Sequence, residues 1–292
     1  MNKICLMPKT LDEINLNVDA IIIGYKNYNS LNVLELDINE IKNIRKKYNK
    51  ELYISFNKLI HDNEINLVEE ILCELSKLDF NGLLFDDLGV LQLVKEKDID
   101  INLIWSNTHQ VTNYSTINSY EKYGIKGAFI SPDITLSEII EIKENTNIKL
   151  FVPLFGKFEI FSSNRFLLTN YLKYINENKT NKTYYIENKD TKYPIYEDIN
   201  GAHIINGNII NGLSEYIELL QKDIDYIIIN SYDINNIELV VDSFNKVRDM
   251  YINNIADDKE IKLLEQQLTK DINKGFLYTE TIYKVKSDVN ER

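Results

Sequence analysis

The sequence predicts a (β/α)8 barrel of the TIM type, with an α+β capping insertion between strands seven and eight. Three observations predict it: eight short apolar runs rich in β-branched residues, a segment of helical spacing after each run, and one long interruption near the end of the series. Alternating strands and helices are typical of parallel βα units, and continuous apolar runs suit strands buried on both faces. The eight runs are residues 3–6, 20–23, 52–56, 82–85, 101–105, 127–130, 149–152 and 225–229.

The length and composition of the chain suit one large domain. Its 292 residues are 44% hydrophobic and 27% charged, which is close to the average of globular proteins. Barrels of this class commonly contain about 250 residues in one domain. We therefore predict a barrel over residues 1–258, which includes the capping insertion at about 154–212, and a C-terminal helix and tail over residues 259–292 that pack on the barrel.

Helical periodicity supports the outer ring of the barrel. In residues 64–78, apolar side chains recur at helical spacing with acidic side chains opposite, as in a helix that covers a sheet. Residues 135–143 begin with Thr135 and Glu138 at the spacing of a capping box. Further amphipathic helices are predicted at 214–221 and 235–255.

The regular alternation stops between the seventh and eighth strands. Roughly seventy residues, 154–224, stand where a single helix would be enough. Residues 154–175 predict a turn and a helix, residues 176–192 form a polar stretch typical of a solvated loop, and the Gly and Asn residues that follow indicate a small β-structure. Because insertions in a barrel belong to its loops, we expect this segment to cap one end.

The charge and the apolar runs narrow the possible partners and the location. A net charge of -12 repels phosphate backbones and anionic membranes, so direct DNA binding and membrane binding are not expected, and RNA binding would need a local basic pocket. The apolar stretch before Pro8 is too short for the core of a signal peptide, and no later run approaches about 18 residues. We expect a cytoplasmic protein, in which Cys5 and Cys73 are unreactive core residues.

Polar side chains follow four of the predicted strands, where the reactive groups of such barrels lie. Asp86 and Asp87 are adjacent, so at most one of them faces the pocket, and Asp133 is a possible second carboxylate. These carboxylates could bind a metal or transfer a proton, or they could instead cap the helices that follow. His109 is either a general base or a surface residue. The strand ends are residues 55–57, 86–89, 106–110 and 131–133.

Several common kinds of site are not predicted. The three histidines, His61, His109 and His203, have no metal-binding spacing, so no zinc site is expected. Ser162 and Ser163 stand in no nucleophile motif, and the chain contains no glycine-rich nucleotide loop.

Several of these segments resemble motifs of the collagenase-like peptidase family, also called family U32. Residues 86–89 resemble its S-D-P-G motif, and residues 106–113 resemble S-T-Q-A-N-V-T-N. The most specific likeness is that of residues 162–172 to a signature ending in S-G-R-C-L-L-S-N-Y-L, in which Arg165 is kept and the cysteine is replaced by Phe166. The resemblance extends over almost the whole chain, and it implies a barrel with a polar pocket.

The replaced cysteine separates this chain from relatives for which an iron-sulfur cluster is proposed. Phe166 cannot supply a thiolate, and residues 176–192 contain no cysteine where those relatives have a C-A-Q-P-C-like stretch, so we predict no cluster and no other cofactor. Arg165 would anchor a carboxylate or phosphate, unless it forms a salt bridge on its helix. The candidate pocket consists of Asn57, Asp87, Ser106, Asn113, Asp133 and Arg165.

Three functions are compatible with the resemblance. The first is a peptidase or another hydrolase acting on a peptide, with catalytic residues that the sequence does not identify. The second is a non-catalytic accessory subunit in RNA modification, since the family's relatives include RNA-hydroxylation and ubiquinone-pathway proteins. The third is an enzyme for a small anionic metabolite. The sequence leaves open the divalent metal, the binding of RNA and the oligomeric state.

Overall fold

The computed structural model describes residues 2–31, 33–180, 182–188, 191–270 and 272–279, and its main feature is a closed barrel. The strands are β1 (Lys3–Met7), β2 (Ala20–Tyr25), β3 (Glu35–Leu36), β4 (Glu51–Phe56), β5 (Gly82–Phe85), β6 (Leu103–Trp105), β7 (Gly127–Phe129), β8 (Lys149–Gly156), β9 (Glu159–Ser163), β10 (Tyr184–Asn188), β11 (Thr191–Asp198), β12 (Gly201–Ile205), β13 (Ile210–Asn211) and β14 (Tyr226–Asn230). The helices are α1 (Ile38–Lys47), α2 (Ile65–Leu75), α3 (Leu88–Glu96), α4 (Tyr114–Glu121), α5 (Leu136–Glu144), α6 (Leu167–Tyr174), α7 (Tyr216–Gln221), α8 (Ile237–Ile252) and α9 (Asp258–Leu268).

Eight parallel strands form the barrel: β1, β2, β4, β5, β6, β7, β8 and β14. They pair in parallel in that order, and β1 pairs with β2 on one side and with β14 on the other, which closes the ring. Each predicted strand corresponds to one barrel strand, so the predicted fold class is confirmed. The capping box of α5 is also confirmed, because Thr135 and Glu138 bond to each other's backbone.

The first unit of the barrel differs from the prediction. The connection from β1 to β2 forms a short 3-10 helix, Asp12–Asn15, in place of an α-helix. Ile14 turns inward from it and is fully buried. Only residues 8–19 connect β1 to β2, and most of them are needed to cross from the end of one parallel strand to the start of the next. Few residues remain for helical turns, so the side chain of Ile14 covers this part of the barrel in place of a helix.

Side chains of the barrel strands alternate between the interior and the layer of helices, as the two-residue period of a strand requires. Outward side chains form the large core under the helices, and inward side chains form a second core inside the barrel. Within this second core, the rings of Phe151 and Tyr226 stack at 4.3 Å, and the Tyr53 hydroxyl donates to the Tyr226 hydroxyl at 2.8 Å. The Tyr226 hydroxyl donates in turn to Glu51. These aromatic side chains fill the interior near the amino-terminal end of the barrel.

A small antiparallel sheet lies within the predicted insertion. Its order is β10-β11-β12-β9, and we call it the roof sheet. Helix α6 covers one face of it, where Leu168 and Leu172 pack with Ile195. After β12, strand β13 pairs antiparallel with β8 and returns the chain to the barrel. The insertion is therefore a layered α+β unit attached to the end of β8.

One part of this unit was not predicted. The polar stretch over residues 176–192, interpreted from sequence as solvated loop, contains strand β10. Tyr184, Tyr185 and Ile186 have high β-propensity, and they pair with β11 from Ile195 to Tyr193. The polar neighbours concealed this strand because an edge strand needs few buried side chains.

The C-terminal segment is bound to the barrel through buried polar contacts. Glu265 of α9 is buried, and its carboxylate accepts the Ser214 backbone N–H at 3.0 Å and the Ser214 hydroxyl at 2.8 Å. Lys274 pairs with Glu265 and with Glu215. The predicted tail extends further, and its residues 280–292 lie outside the described part of the chain.

Both cysteines are free thiols. Cys5 is buried inside the barrel, and Cys73 is half-buried on α2. Within the described residues, no helix is long and apolar enough to cross a membrane.

Candidate functional site

Polar side chains are concentrated at the carboxyl ends of the barrel strands, which we call the mouth. Along β4 and beyond, Tyr53 lies in the interior core, and Ser55 and Asn57 follow on the same face. Oδ1 of Asn57 accepts the Ser55 hydroxyl and the backbone N–H of Ser30, both at 2.9 Å. Nδ2 of Asn57 donates to the Ser30 hydroxyl at 2.8 Å. Asn57 is therefore fixed in place, and it fastens the loop after β2 to the wall of the mouth.

Asp86 and Asp87, at the end of β5, have separate roles. Asp86 continues the inward face of Leu84, and Nδ2 of Asn107 donates to its carboxylate. Asp87 turns away: its carboxylate accepts the Gly89 backbone N–H at 2.7 Å, as the N-cap of α3, and the Ile60 backbone N–H at 2.8 Å. The carboxylate that faces the mouth is therefore that of Asp86.

A second carboxylate lies further round the wall. Asp133 is half-buried after β7, and its backbone N–H donates to the Ser131 hydroxyl at 3.2 Å. Burial raises the pKa of Asp133 and also that of Asp86. His109 counteracts both shifts through its charge, so this exposed side chain lies near both carboxyls. The wall thus carries two carboxyls that take up protons more readily than an exposed aspartate does.

The roof sheet turns its second face toward the mouth. Tyr196 and His203 are partners on β11 and β12, and their rings stack at 4.8 Å. Their sequence neighbours Ile195 and Ile204 point to the opposite face, toward α6. Nδ2 of Asn164, which follows β9, lies 3.4 Å from Nε2 of His61 in the connection after β4, so this end of the roof lies against the rim of the mouth.

His203 is held between two carboxylates of the roof sheet. Its Nδ1 lies 2.7 Å from Oε2 of Glu159, and its Nε2 lies 3.3 Å from Oδ1 of Asp198. The strand that carries His203 begins at Gly201, with φ +115°, where a Cβ would lie 2.0 Å from the Ser163 carbonyl oxygen. Only glycine allows this approach, so the position of His203 depends on it.

The carboxylates of Glu159 and Asp198 determine the protonation state of His203. Burial alone would lower the pKa of His203, but hydrogen bonds to Asp198 and Glu159 and their charges outweigh it and raise the pKa to about 9. Burial raises the pKa of Glu159, although His203 opposes this shift. In Asp198, the hydrogen bonds from His203 and the Asn200 backbone outweigh burial and lower the pKa. His203 is therefore an imidazolium at neutral pH, and Asp198 is its ionised partner.

Amide side chains connect the roof to the loop after β2. Nδ2 of Asn200 donates to the Asn29 carbonyl at 3.3 Å, and Nδ2 of Asn29 donates to Glu35 at 3.3 Å. Burial raises the pKa of Glu35. Oδ1 of Asn200 is buried and accepts no hydrogen bond from the described residues. A buried acceptor of this kind suits an N–H donor of a ligand or a water molecule.

The structure brings together only part of the predicted pocket. Asn57 and Ser106 are buried at the mouth, and Asp133 is half-buried at its edge. Asp87 and Asn113 are the N-caps of α3 and α4, because each side chain accepts backbone N–H groups of the helix that follows it. Arg165 is exposed on the turn between β9 and α6, and no ion pair of Arg165 is found among the described residues.

Sequence reasoning missed four residues of the site. Three of them lie in the insertion, remote from the strand ends of the wall, and the fourth, Asp86, lies beside Asp87, which was chosen instead. Only His203 has a recognisable signal in the sequence, because it is a histidine within an apolar run typical of a strand. No group of three or more His, Cys, Asp and Glu side chains in the described part of the chain could hold a metal ion. The missed residues are Asp86, Glu159, Tyr196 and His203.

Fold and site together define a (β/α)8-barrel protein whose mouth is covered by an inserted sheet carrying a buried histidine between two carboxylates. This chain belongs to peptidase family U32, since the model of that family matches residues 7–286.

Three known proteins are similar to this chain. The chain is 28% identical to tRNA hydroxylation protein P2 of Bacillus subtilis (strain 168) over 269 residues, 85% of each protein. It is 28% identical over 168 residues to an uncharacterized protease of Methanocaldococcus jannaschii, which is 54% of this chain and 40% of that protein. A solved U32 peptidase superposes with a TM-score of 0.45 and 14% identity over 53% of this chain and 69% of that chain.

Proposed function

We propose that this protein takes part in the hydroxylation of tRNA, as the component that holds an uncharged nucleobase in the mouth of its barrel. The match to tRNA hydroxylation protein P2 supports this proposal because it covers 85% of both chains, including the roof. The B. subtilis protein carries that name, and its activity is transferred here as a proposal. Hydroxylation needs an oxygen donor, so the role of this chain is limited to binding and positioning the base.

The chemistry of the mouth is the observation that carries the proposal. Its wall presents the carboxyl of Asp86, the amide of Asn107 and the hydroxyl of Ser106, and its roof presents the ring of Tyr196. Amide and carboxyl groups hydrogen-bond the edge of a base, and an aromatic ring packs on its face. A base supplies the matching donors and acceptors without a charge that the carboxylates would repel.

The same charges disfavour a small anionic metabolite. The wall carries the carboxyls of Asp86 and Asp133, and in the roof two carboxyls, those of Glu159 and Asp198, flank the single cation of His203. An anionic ligand would therefore meet a net negative field. Arg165, the anchor expected from sequence, is exposed on the turn between β9 and α6 and supplies no buried positive charge.

The geometry of His203 also disfavours a serine peptidase. Ser162 is the register partner of His203 on β9, so the two residues lie at adjacent positions in the sheet. A general base needs a free ring nitrogen, but both nitrogens of His203 bond to carboxylates, and a pKa of about 9 keeps the ring protonated at neutral pH. His203 therefore orients Glu159 and Asp198, and it does not activate a serine.

The proposal includes no iron-sulfur cluster on this chain and a cytoplasmic location. A cluster of the usual kind needs about four thiolates. The chain has two cysteines, and they lie inside the barrel and on α2. Phe166, at the family's cysteine position, is the N-cap residue of α6 and is exposed. An iron-sulfur cluster, if the reaction uses one, is therefore supplied by another molecule.

Deletion of the gene in its own host tests the proposal. We expect hydroxylated nucleosides to disappear from purified tRNA, as measured by liquid chromatography and mass spectrometry, and to return with the wild-type gene. The Asp86→Asn variant should restore less than a tenth of the wild-type amount, since one misplaced contact to a reacting group costs about tenfold or more in rate. The Asp242→Asn variant, an exposed change on the outer helix α8, should restore it fully. An unchanged nucleoside profile in the deletion strain would refute the proposal.

A further inference from the structure

The outer face of the roof carries an apolar groove between α6 and the edge strand β10. The groove has a volume of about 420 Å³. Its floor is the small core of Leu168, Leu172 and Ile195. We call it the cap groove, and its lining residues are Leu167, Leu168, Tyr171, Leu172, Tyr184, Tyr185, Ile186, Ile195 and Ile204.

Large aromatic side chains surround the cap groove and remain accessible. Tyr171 is 60% exposed, Tyr185 is 51% exposed, and Tyr174, one helical turn beyond Tyr171, is 85% exposed. Phe166, at the start of α6, is 48% exposed. Isolated exposed apolar residues are ordinary, but several rings around one groove indicate a binding surface.

Positively charged side chains lie near these rings, although the net charge of the whole protein is negative. Residues 165–192 contain six Lys or Arg and three Asp or Glu in a chain of net charge -12, and two of these lysines, Lys179 and Lys192, are paired with Glu197 and Glu187. Arg165, Lys173 and Lys182 are exposed, and none of them has an acidic partner among the described residues. Lys182 lies over the ring of Tyr184, 5.1 Å from its centroid. An isolated cationic region on an acidic protein attracts a polyanion to that one face.

A second cavity adjoins the cap groove. It has a volume of about 210 Å³, and it shares Leu168, Tyr184 and Ile195 with the first. Its lining includes Lys182, Lys179, which is paired with Glu197, and Tyr196, which stacks on His203. The two cavities therefore adjoin, and the second also contacts Tyr196, whose ring packs with His203 on the other face of the roof.

We propose that the cap groove binds unpaired nucleotides of an RNA, with bases stacked on Tyr171 and Tyr185 and phosphates next to Lys173 and Lys182. This inference rests on the proposed function and names the surface that holds the tRNA. Stacking on aromatic side chains combined with cationic contacts to the backbone is how proteins hold single-stranded RNA, whereas a protein partner would require no such excess of cations. A neighbouring base occupies the adjoining cavity beside Tyr196.

Binding of an unmodified tRNA transcript to the purified full chain tests this inference by fluorescence anisotropy. We expect the Tyr171→Ala and Tyr185→Ala variants each to raise the Kd about tenfold, the effect of one lost base stack. The Lys182→Ala variant should weaken binding and reduce the salt slope of log Kd by about one. An RNA duplex of the same length, in which every base is paired, should bind more weakly than the tRNA.

Matched controls lie on other faces of the barrel. Tyr123 is 54% exposed near the end of α4, and Lys46 is exposed on α1, so Tyr123→Ala and Lys46→Ala should leave the Kd unchanged. All substituted side chains lie at the surface, and thermal melts should show the same Tm for each variant as for the wild type. The inference fails if the wild-type chain binds no tRNA, or if the groove variants bind as the control variants do.

The two proposals fail in different ways. If deletion of the gene abolishes hydroxylation and the Tyr171→Ala, Tyr185→Ala double variant restores it fully, the cap groove is not the RNA site, while the proposed function stands. If the groove variants lose tRNA binding but the deletion strain keeps all of its hydroxylated nucleosides, the groove binds RNA, while the proposed function is wrong.

Discussion

Nδ1 of His203 lies 2.7 Å from Oε2 of Glu159, so two residues that are 44 positions apart form a buried charged contact beneath the roof sheet. The contact joins the last strand of that sheet in sequence to the first. Because both side chains are largely removed from solvent, loss of Glu159 would leave Nδ1 of His203 without its partner, and loss of His203 would leave the Glu159 carboxyl without its cation. The contact therefore depends on the complete roof and also stabilises it.

Stability should fall with rising pH through the titration of His203. Its pKa is about 9 in the folded protein, above the ordinary value of 6.5, so its contribution is complete below pH 6.5 and is lost as the pH rises through about 9. We expect the free energy of unfolding, from urea denaturation, to decrease by roughly 2 kcal/mol between pH 7 and pH 9.5, an order of magnitude set by the size of the pKa difference.

The His203→Gln variant isolates this effect. It should be less stable than the wild type at pH 7, and the difference between the two should shrink toward pH 9.5. Burial raises the pKa of Cys5, whose thiol also ionises in the unfolded chain in this range, but it does so equally in both proteins. A constant difference across the range would show that His203 is not protonated in the folded protein.

Asp86 and Asp87 should respond oppositely to the same substitution. Asparagine has one accepting oxygen in place of two, so the Asp87→Asn variant leaves the backbone N–H of either Gly89 or Ile60 without its acceptor; it should lose about 1 kcal/mol of stability and keep its activity when folded. The Asp86→Asn variant should keep its stability and lose tRNA hydroxylation. Thermal denaturation and nucleoside analysis of the two variants check this, and the reverse result would place Asp87 in the mouth.

Glu197 should hold α6 on the roof sheet. Its carboxylate accepts the Thr169 backbone N–H at 3.1 Å and the Thr169 hydroxyl at 2.5 Å, and it thereby replaces the cap that Phe166 cannot provide. The Glu197→Gln variant should speed hydrogen exchange of the α6 amides about fivefold to thirtyfold, as expected for about 1–2 kcal/mol. Glu187→Gln, which removes an exposed pair with Lys192, is the control and should leave these amides unchanged.

Protein purified without oxygen should contain no stoichiometric iron or acid-labile sulfide. Cys5 and Cys73 are too few to hold a cluster, and they lie in different layers of the barrel. Elemental analysis and an optical spectrum are the measurements. A full complement of iron and sulfide per chain would contradict the prediction and would require ligands other than thiolates.

The sequence alone was sufficient for the barrel and for the family. Strands buried on both faces give continuous apolar runs, so all eight could be found, and residues 162–172 carried the family likeness. Local signals also predicted the capping box of Thr135 and Glu138, because its partners are three residues apart. Strand β10 was missed because an edge strand leaves most of its side chains in solvent.

The composition of the site was decided by the tertiary structure. Which of Asp86 and Asp87 faces the mouth depends on the strand's orientation in the closed barrel and on Ile60, which lies in another loop. The protonated state of His203 depends on Glu159 and Asp198, which reach it only after the roof sheet has folded. Periodicity along a chain therefore determines its strands and helices, whereas the charge and orientation of a side chain are set by neighbours that only folding brings close.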